Sequence, residues 1–220
     1  MSVQVKICGI TSVEAADAAA KVGADYAGLV FFRRSPRYLQ LEQAAAIAAR
    51  LRGRSRTVAL LVDATDAEIE SVVRAVKPDM LQLHGSETVE RVAFVKSQWA
   101  IPVMKALAIA DAADFANVAR HENVADMLLF DARAPANATR PGGHGASFDW
   151  QLLRGRSFSR PWLLGGGLNA ENVGRAIRIS GAAAVDCSSG VETAPGIKDP
   201  QMIRDFVASA RSAQYAEADR

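Results

Sequence analysis

Apolar positions along this chain follow two alternating periods. Short runs rich in branched and aromatic residues, "VQVKIC" (3–8), "YAGLVF" (26–31), "TVALLVD" (57–63), "MLQLH" (80–84), "IPVMKAL" (101–107), "MLLFD" (127–131), "WLLGGG" (162–167) and "AAVDC" (183–187), read as strands. Between them lie stretches with apolar residues at i, i+3 and i+4, which predict helices over 12–23, 41–53, 66–78, 87–98, 111–122 and 169–181. Several of these close on Gly or Pro, as helix ends do. Strands alternating with amphipathic helices form parallel βα units. About eight units of ~27 residues fit a (β/α)8 TIM barrel, an α/β fold, in one domain over 1–220. The alternative, an open doubly wound sheet, has fewer strands and one dominant switch-point loop. One segment breaks the rhythm: "ARAPANATRPGGHGAS" (132–147) is too long for an ordinary βα connection and is expected to be an active-site loop that lids the barrel mouth.

Composition narrows the partners. The 220 residues are 50% hydrophobic, enough for a full core, and the net charge of +2 argues against nucleic acid or an anionic membrane as the main partner. The N-terminus "MSVQVK" has no signal-peptide pattern and no apolar run approaches the ~20 residues of a membrane span, so a cytosolic protein is expected. Cys8 and Cys187 lie far apart, without CxxC spacing or paired histidines, which predicts neither a disulfide framework nor a metal site.

In a barrel of this kind the chemistry sits where strands end, at their C-terminal rim. The residues there are Cys8, Arg37, Asp63, His84, Lys105, Asp131, Gly165 to Gly167 and Asp186, a concentration of titratable groups that points to an enzyme. Strand alternation places Val3, Val5 and Ile7 on one face and Lys6 and Cys8 on the other, about 7 Å apart. Lys6 is then expected to favour the Cys8 thiolate and make it a base, although a lone strand cysteine is more often packing. Cys187, of opposite parity to Asp186, should face the helices. Asp131 follows four apolar residues, and burial under a lid favours the protonated form that a general acid needs. "LLGGGLNAENV" (163–173) and "VDCSSGVE" (185–192) place Gly166, Gly167, Ser188, Ser189 and Gly190 in the loops after the seventh and eighth strands, where barrels bind phosphate through backbone N–H groups. Asn169 is expected to cap the helix that follows.

The segments "KICGIT", "GLVFFRRSPRYL", "LLVD", "LQLHG", "DMLLFDAR" with "GGHGASFDW", "LLGGGLNAENV" and "AVDCSSGVETAPGIKD" together resemble the phosphoribosylanthranilate isomerase family, from about residue 4 to 207. The resemblance implies an aldose–ketose isomerase of tryptophan biosynthesis that performs an Amadori rearrangement without metal or cofactor. It implies that Cys8 is the general base, Asp131 the general acid and Arg37 the grip on the anthranilate carboxylate, with Arg33 and Arg34 as neighbouring alternatives. Asp186 is expected near the ribose hydroxyls, with His84 and Lys6 also on the substrate. The partner is a small molecule, and the chain a monomer or homodimer. Other readings are weaker. A sibling barrel of histidine synthesis uses aspartate where Cys8 stands, and a metal-dependent epimerase needs more strand-end histidines than residues 84, 121 and 144 supply. A non-catalytic sugar-phosphate binding or sensing barrel need not keep both Cys8 and Asp131.

Overall fold

The computed structural model describes residues 2–134, 142, 143, 145 and 147–213. Eight parallel strands close in sequence order into a barrel: β1 (Gln4–Cys8), β2 (Tyr26–Val30), β3 (Arg56–Leu61), β4 (Met80–Leu83), β5 (Val103–Ile109), β6 (Met127–Ala132), β7 (Trp162–Leu164) and β8 (Ala184–Cys187). The first and last strands meet in direct register, Lys6 opposite Asp186 and Ile7 opposite Cys187. Helices α1 (Val13–Lys21), α2 (Leu41–Leu51), α3 (Asp66–Val76), α4 (Val89–Trp99), α5 (Phe115–His121), α6 (Val173–Ser180) and α7 (Pro200–Ser212) pack outside. Among the described residues no helix is long and apolar enough to cross a membrane.

Local sequence explains the helices. Thr65 and Glu68 form a reciprocal capping box at the start of α3, each satisfying a backbone N–H that the first turn leaves open. Ile69, Val72 and Val76 then bury one face of that helix against the barrel. In α1, Ser12 caps and Ala15, Ala16 and Ala19 are buried.

Strand alternation divides the core in two. Val3, Val5, Ile7 and Cys187 join the large cluster between barrel and helices, so Cys187 faces outward as its parity predicts. Tyr26, Val58, Met80, Met104, Met127, Leu129 and Leu163 fill the barrel interior, and Cys8, Val30 and Leu60 form a separate cluster with Phe32 and Val62. The barrel is therefore packed below and open for chemistry only at its mouth.

The structure departs from the sequence reading in three places. Between β6 and β7 the only regular element among the described residues is a 3-10 turn at Trp150–Leu153, capped by Asp149. A two-stranded hairpin, β9 (Glu192–Ala194) with β10 (Ile197–Lys198), follows β8. Its strands are too short to show a period. The last helix, α7, went unread although Asp199 and Pro200 are a cap and a first-turn proline, a legible start signal.

Lys105 is also not where the rim census put it. Its parity matches Val103 and Leu107, so it points out of the barrel into the helix layer, where Nζ donates to Glu87 Oε2 (2.8 Å) and to the carbonyls of Gly85 (2.8 Å) and Leu83 (3.2 Å). Glu87 in turn accepts from the backbone N–H of Asp63 and Gly85, so this buried pair fixes the loops after β3 and β4. Removing one partner strands the other charge in the interior. Lys105→Met is expected to cost about 3–5 kcal/mol in urea unfolding, and a loss below about 1 kcal/mol would show that the pair is dispensable.

Candidate active site

A single cavity at the C-terminal mouth gathers Cys8 from β1, Arg37 from the loop after β2, His84 from just beyond β4, Asp131 from β6 and Asp186 from β8. Gly166, Gly167, Ser188 and Ser189 line one side, and Val30, Phe32, Leu60 and Val62 form an apolar wall. Residues that are far apart in sequence meet because each ends, or follows closely, a strand of the same closed barrel.

Lys6 does not line this cavity. It is completely buried beneath it, with Nζ 2.7 Å from Asp186 Oδ1. Burial opposes its charge, but Asp186 and Cys8 hold the ammonium above the usual lysine range. At Cys8 the expected pull of Lys6 toward the thiolate is present but is outweighed. Burial pushes its thiol up from the ordinary cysteine value; Lys6 pulls it down by charge and hydrogen bonding, but Asp186 opposes that pull and burial prevails. Lys6 is already committed to one anion, so its help to a second is limited. The thiol fits at all because residue 28 is glycine: a Cβ there would lie 2.8 Å from Cys8 Sγ.

Among the described residues, two neighbours hold Asp131. Oδ1 accepts from the Ala132 N–H (2.8 Å), and Oδ2 lies 3.3 Å from His84 Nε2. Gln82, fully buried two residues earlier on β4, places Nε2 2.7 Å from His84 Nδ1. With that amide donating, Nδ1 is an acceptor and the ring proton sits on Nε2, facing Asp131. The backbone at Gly142 closes over this pair, since a Cβ there would lie 2.7 Å from His84 Nε2 and 2.8 Å from Asp131 Oδ2. Gly142, Gly143 and Gly145 of the expected 132–147 lid line the cavity, whereas residues 135–141, 144 and 146 of that segment lie outside the described residues.

Of the three candidate arginines, Arg37 is buried and reaches the cavity, while Arg33 and Arg34 are exposed. Its Nε and Nη2 donate to the two carboxylate oxygens of Glu192, each at 2.7 Å. Glu192 Oε1 also receives Lys198 Nζ at 2.6 Å. Sequence reading missed both partners, which sit on β9 and β10. Gly9 leaves room for this arginine: a Cβ would lie 2.3 Å from Arg37 Cδ, and φ is +76°.

The glycine and serine loops are arranged differently from the expectation in two respects. Asn169 does not cap α6; its side chain accepts from Glu171 and Asn172 N–H in the preceding turn, and Asn172 is the cap residue. Gly190 does not line the cavity. It lies against the loop after β7, where a Cβ would meet Leu168 O at 2.0 Å, so glycine there lets two main chains run close together in parallel. Gly166 and Gly167 both take positive φ and remain at the cavity. Asp63 is outside it as well, accepting from Ser86 N–H and Oγ. No group of His, Cys, Asp and Glu among the described residues could hold a metal ion.

Residues 5–209 match the model of the N-(5'-phosphoribosyl)anthranilate (PRA) isomerase family. The chain belongs to that family. A phosphoribosylanthranilate isomerase relative from Bradyrhizobium sp. (strain ORS 278) is 50% identical over 97% of this chain and 98% of its own length. The phosphoribosyl anthranilate isomerase from Thermotoga maritima superposes with a TM-score of 0.86 at 36% identity, covering 96% of this chain and 99% of that one. A further solved isomerase, TM-score 0.82 and 34% identical over 96% of this chain and 99% of its own, holds reduced 1-(o-carboxyphenylamino)-1-deoxyribulose 5-phosphate.

In this phosphoribosylanthranilate isomerase family member, the balance at Cys8 is measurable. In a Cys187→Ser background, alkylation by iodoacetamide should rise with pH through a midpoint above the ~8.5 of a free cysteine. A midpoint at or below that value would show that Lys6 outweighs burial.

Proposed function

We propose that this chain converts N-(5'-phosphoribosyl)anthranilate, an aldosamine, into 1-(2-carboxyphenylamino)-1-deoxyribulose 5-phosphate, a ketose, by general acid–base catalysis. The reaction is an Amadori rearrangement of tryptophan biosynthesis. One observation carries the reading: a thiol and a carboxyl group, Cys8 and Asp131, reach one cavity between an arginine suited to a carboxylate and two loops suited to a phosphate. The reading is of a cytosolic enzyme, monomer or homodimer, with a small-molecule substrate and no cofactor.

The cavity's parts divide the substrate among them. Gly166, Gly167, Ser188 and Ser189 take the phosphate, with backbone and hydroxyl donors brought close by the glycines. The aromatic ring lies on the apolar wall of Val30, Phe32, Leu60 and Val62, and Arg37 meets the ring's carboxylate. Asp186 accepts from a ribose hydroxyl, held in place by Lys6.

Protonated Asp131 donates to the furanose ring oxygen, and the ring opens to a protonated Schiff base. His84 Nε2, on Asp131 Oδ2, holds that carboxyl group in place. Cys8, as thiolate, removes the C2' proton, which the adjacent iminium has made acidic; the enolamine then becomes the ketone. Burial favours the thiol form of Cys8. The iminium brings a positive charge into the cavity at the moment the thiolate is required, which offsets the cost of burying it.

Steady-state kinetics, followed by loss of substrate fluorescence, test these roles. Cys8→Ala and Asp131→Asn should each lower kcat by roughly 10²–10⁴ with little change in KM. Full activity of Cys8→Ala would remove the base. Arg37→Ala should mainly raise KM, and an unchanged KM would remove the carboxylate grip.

A further inference from the structure

We infer that Glu192 and Lys198, neither of which touches the cavity, form a positioning device that presents one end of Arg37 to the substrate carboxylate and keeps that corner of the site positively charged. The inference rests on the function proposed above and deepens it at the carboxylate end.

The geometry begins with the guanidinium. Arginine carries five N–H donors; Glu192 takes two, from Nε and Nη2, leaving three. Those bonds occupy the Nε–Nη2 edge, and the remaining donors, at Nη1 and on the outer side of Nη2, have no partner among the described residues. Arg37 is thus locked along one edge and offers the end of its fork to the cavity it lines. An unheld arginine has several rotamers, and ordering it on binding costs affinity.

Charge accounting assigns Lys198 its part. Arg37 and Glu192 alone make a neutral pair, a poor receptor for an anion. Lys198 Nζ, with no exposed side-chain surface, lies 2.6 Å from Glu192 Oε1 and returns the cluster to a net charge of +1. Its other contacts are Ser188 O (2.9 Å) and Ser188 Oγ (3.3 Å). Three acceptors use the three ammonium hydrogens, so Lys198 acts through Glu192 and Ser188 and not on a ligand. By the same contacts it joins the carboxylate corner to the serine loop.

The surroundings are shaped to this arrangement. Gly9 gives Arg37 its path, as a Cβ would stand 2.3 Å from Arg37 Cδ. At the turn between β9 and β10, a Cβ on Gly196 would lie 2.5 Å from Pro36 O, and Gly196 O accepts from Thr11 Oγ1 at 2.7 Å. The hairpin is therefore seated against the loop that carries Arg37, and it delivers Glu192 from one strand and Lys198 from the other.

The test is a set of mutant cycles on the full chain, with phosphoribosylanthranilate as substrate. Glu192→Ala, the near-isosteric Glu192→Gln and Lys198→Met should raise KM, roughly tenfold or more for the alanine and methionine variants, with kcat within about threefold. In an Arg37→Ala background the same changes should move KM by less than about twofold, because the device has lost its object. Lys198→Arg should restore most of the affinity. The inference is overturned if Arg37→Ala raises KM but the Glu192 and Lys198 variants do not, if their effects multiply with Arg37→Ala, or if Arg37→Ala leaves KM unchanged. Absence of wild-type turnover would instead overturn the proposed function. The device would then be read from calorimetric binding of reduced 1-(o-carboxyphenylamino)-1-deoxyribulose 5-phosphate to the same variants, with the same pattern expected in Kd and the same failures decisive.

Discussion

A lysine placed inside a barrel must have an anion beside it, and the rest of this site follows from that requirement. Lys6 finds its anion in Asp186, its direct register partner across the seam where the first and last strands meet. An unpaired ammonium there would cost several kcal/mol, so closing the barrel and pairing the charges are one event. The pair fixes Asp186 at the cavity edge, sets the field around Cys8 and ties the chemistry of the mouth to the integrity of the fold.

The same pair bears on Cys8, the proposed general base. A lysine close to a thiol suggests a thiolate, but Lys6 is shared with Asp186 and the thiol is buried, and burial pushes the thiol up from its ordinary value. A permanently ionised thiol would be open to oxidation and alkylation between turnovers. In the proposed reaction the thiol ionises against a cation formed by the substrate, which avoids that exposure while keeping the proposed base in place.

Buried charge recurs at two more points, and each time it joins loops. Arg37, Glu192 and Lys198 hold the hairpin after β8 to the loop after β2. Lys105 and Glu87 hold the loops after β3 and β4 from outside the barrel. Loops bear the functional groups of a barrel but lack the ladder bonds that make strands rigid. Buried, multiply bonded ion pairs supply that rigidity where hydrophobic packing alone would leave the side chains free to turn.

The sequence by itself determined the barrel, because eight strand–helix alternations leave few other topologies. It also determined which face Cys8 and Cys187 take, because strand parity has a fixed period of two. It brought Cys8, Asp131, Arg37, His84 and Asp186 to the same rim through the rule that strands end there. Only the tertiary structure decided what those groups meet. Lys105 ends outside the barrel and Gly190 against a neighbouring main chain, since rim position says nothing of side-chain direction or loop contact. Lys6 lies below the cavity it was expected to line, one step down the strand from Cys8 on the same face. Glu192 and Lys198 were invisible in the chain because their strands are too short for periodicity, and because their meaning lies in a partner 155 positions away from Glu192, which the folded barrel alone brings within 2.7 Å.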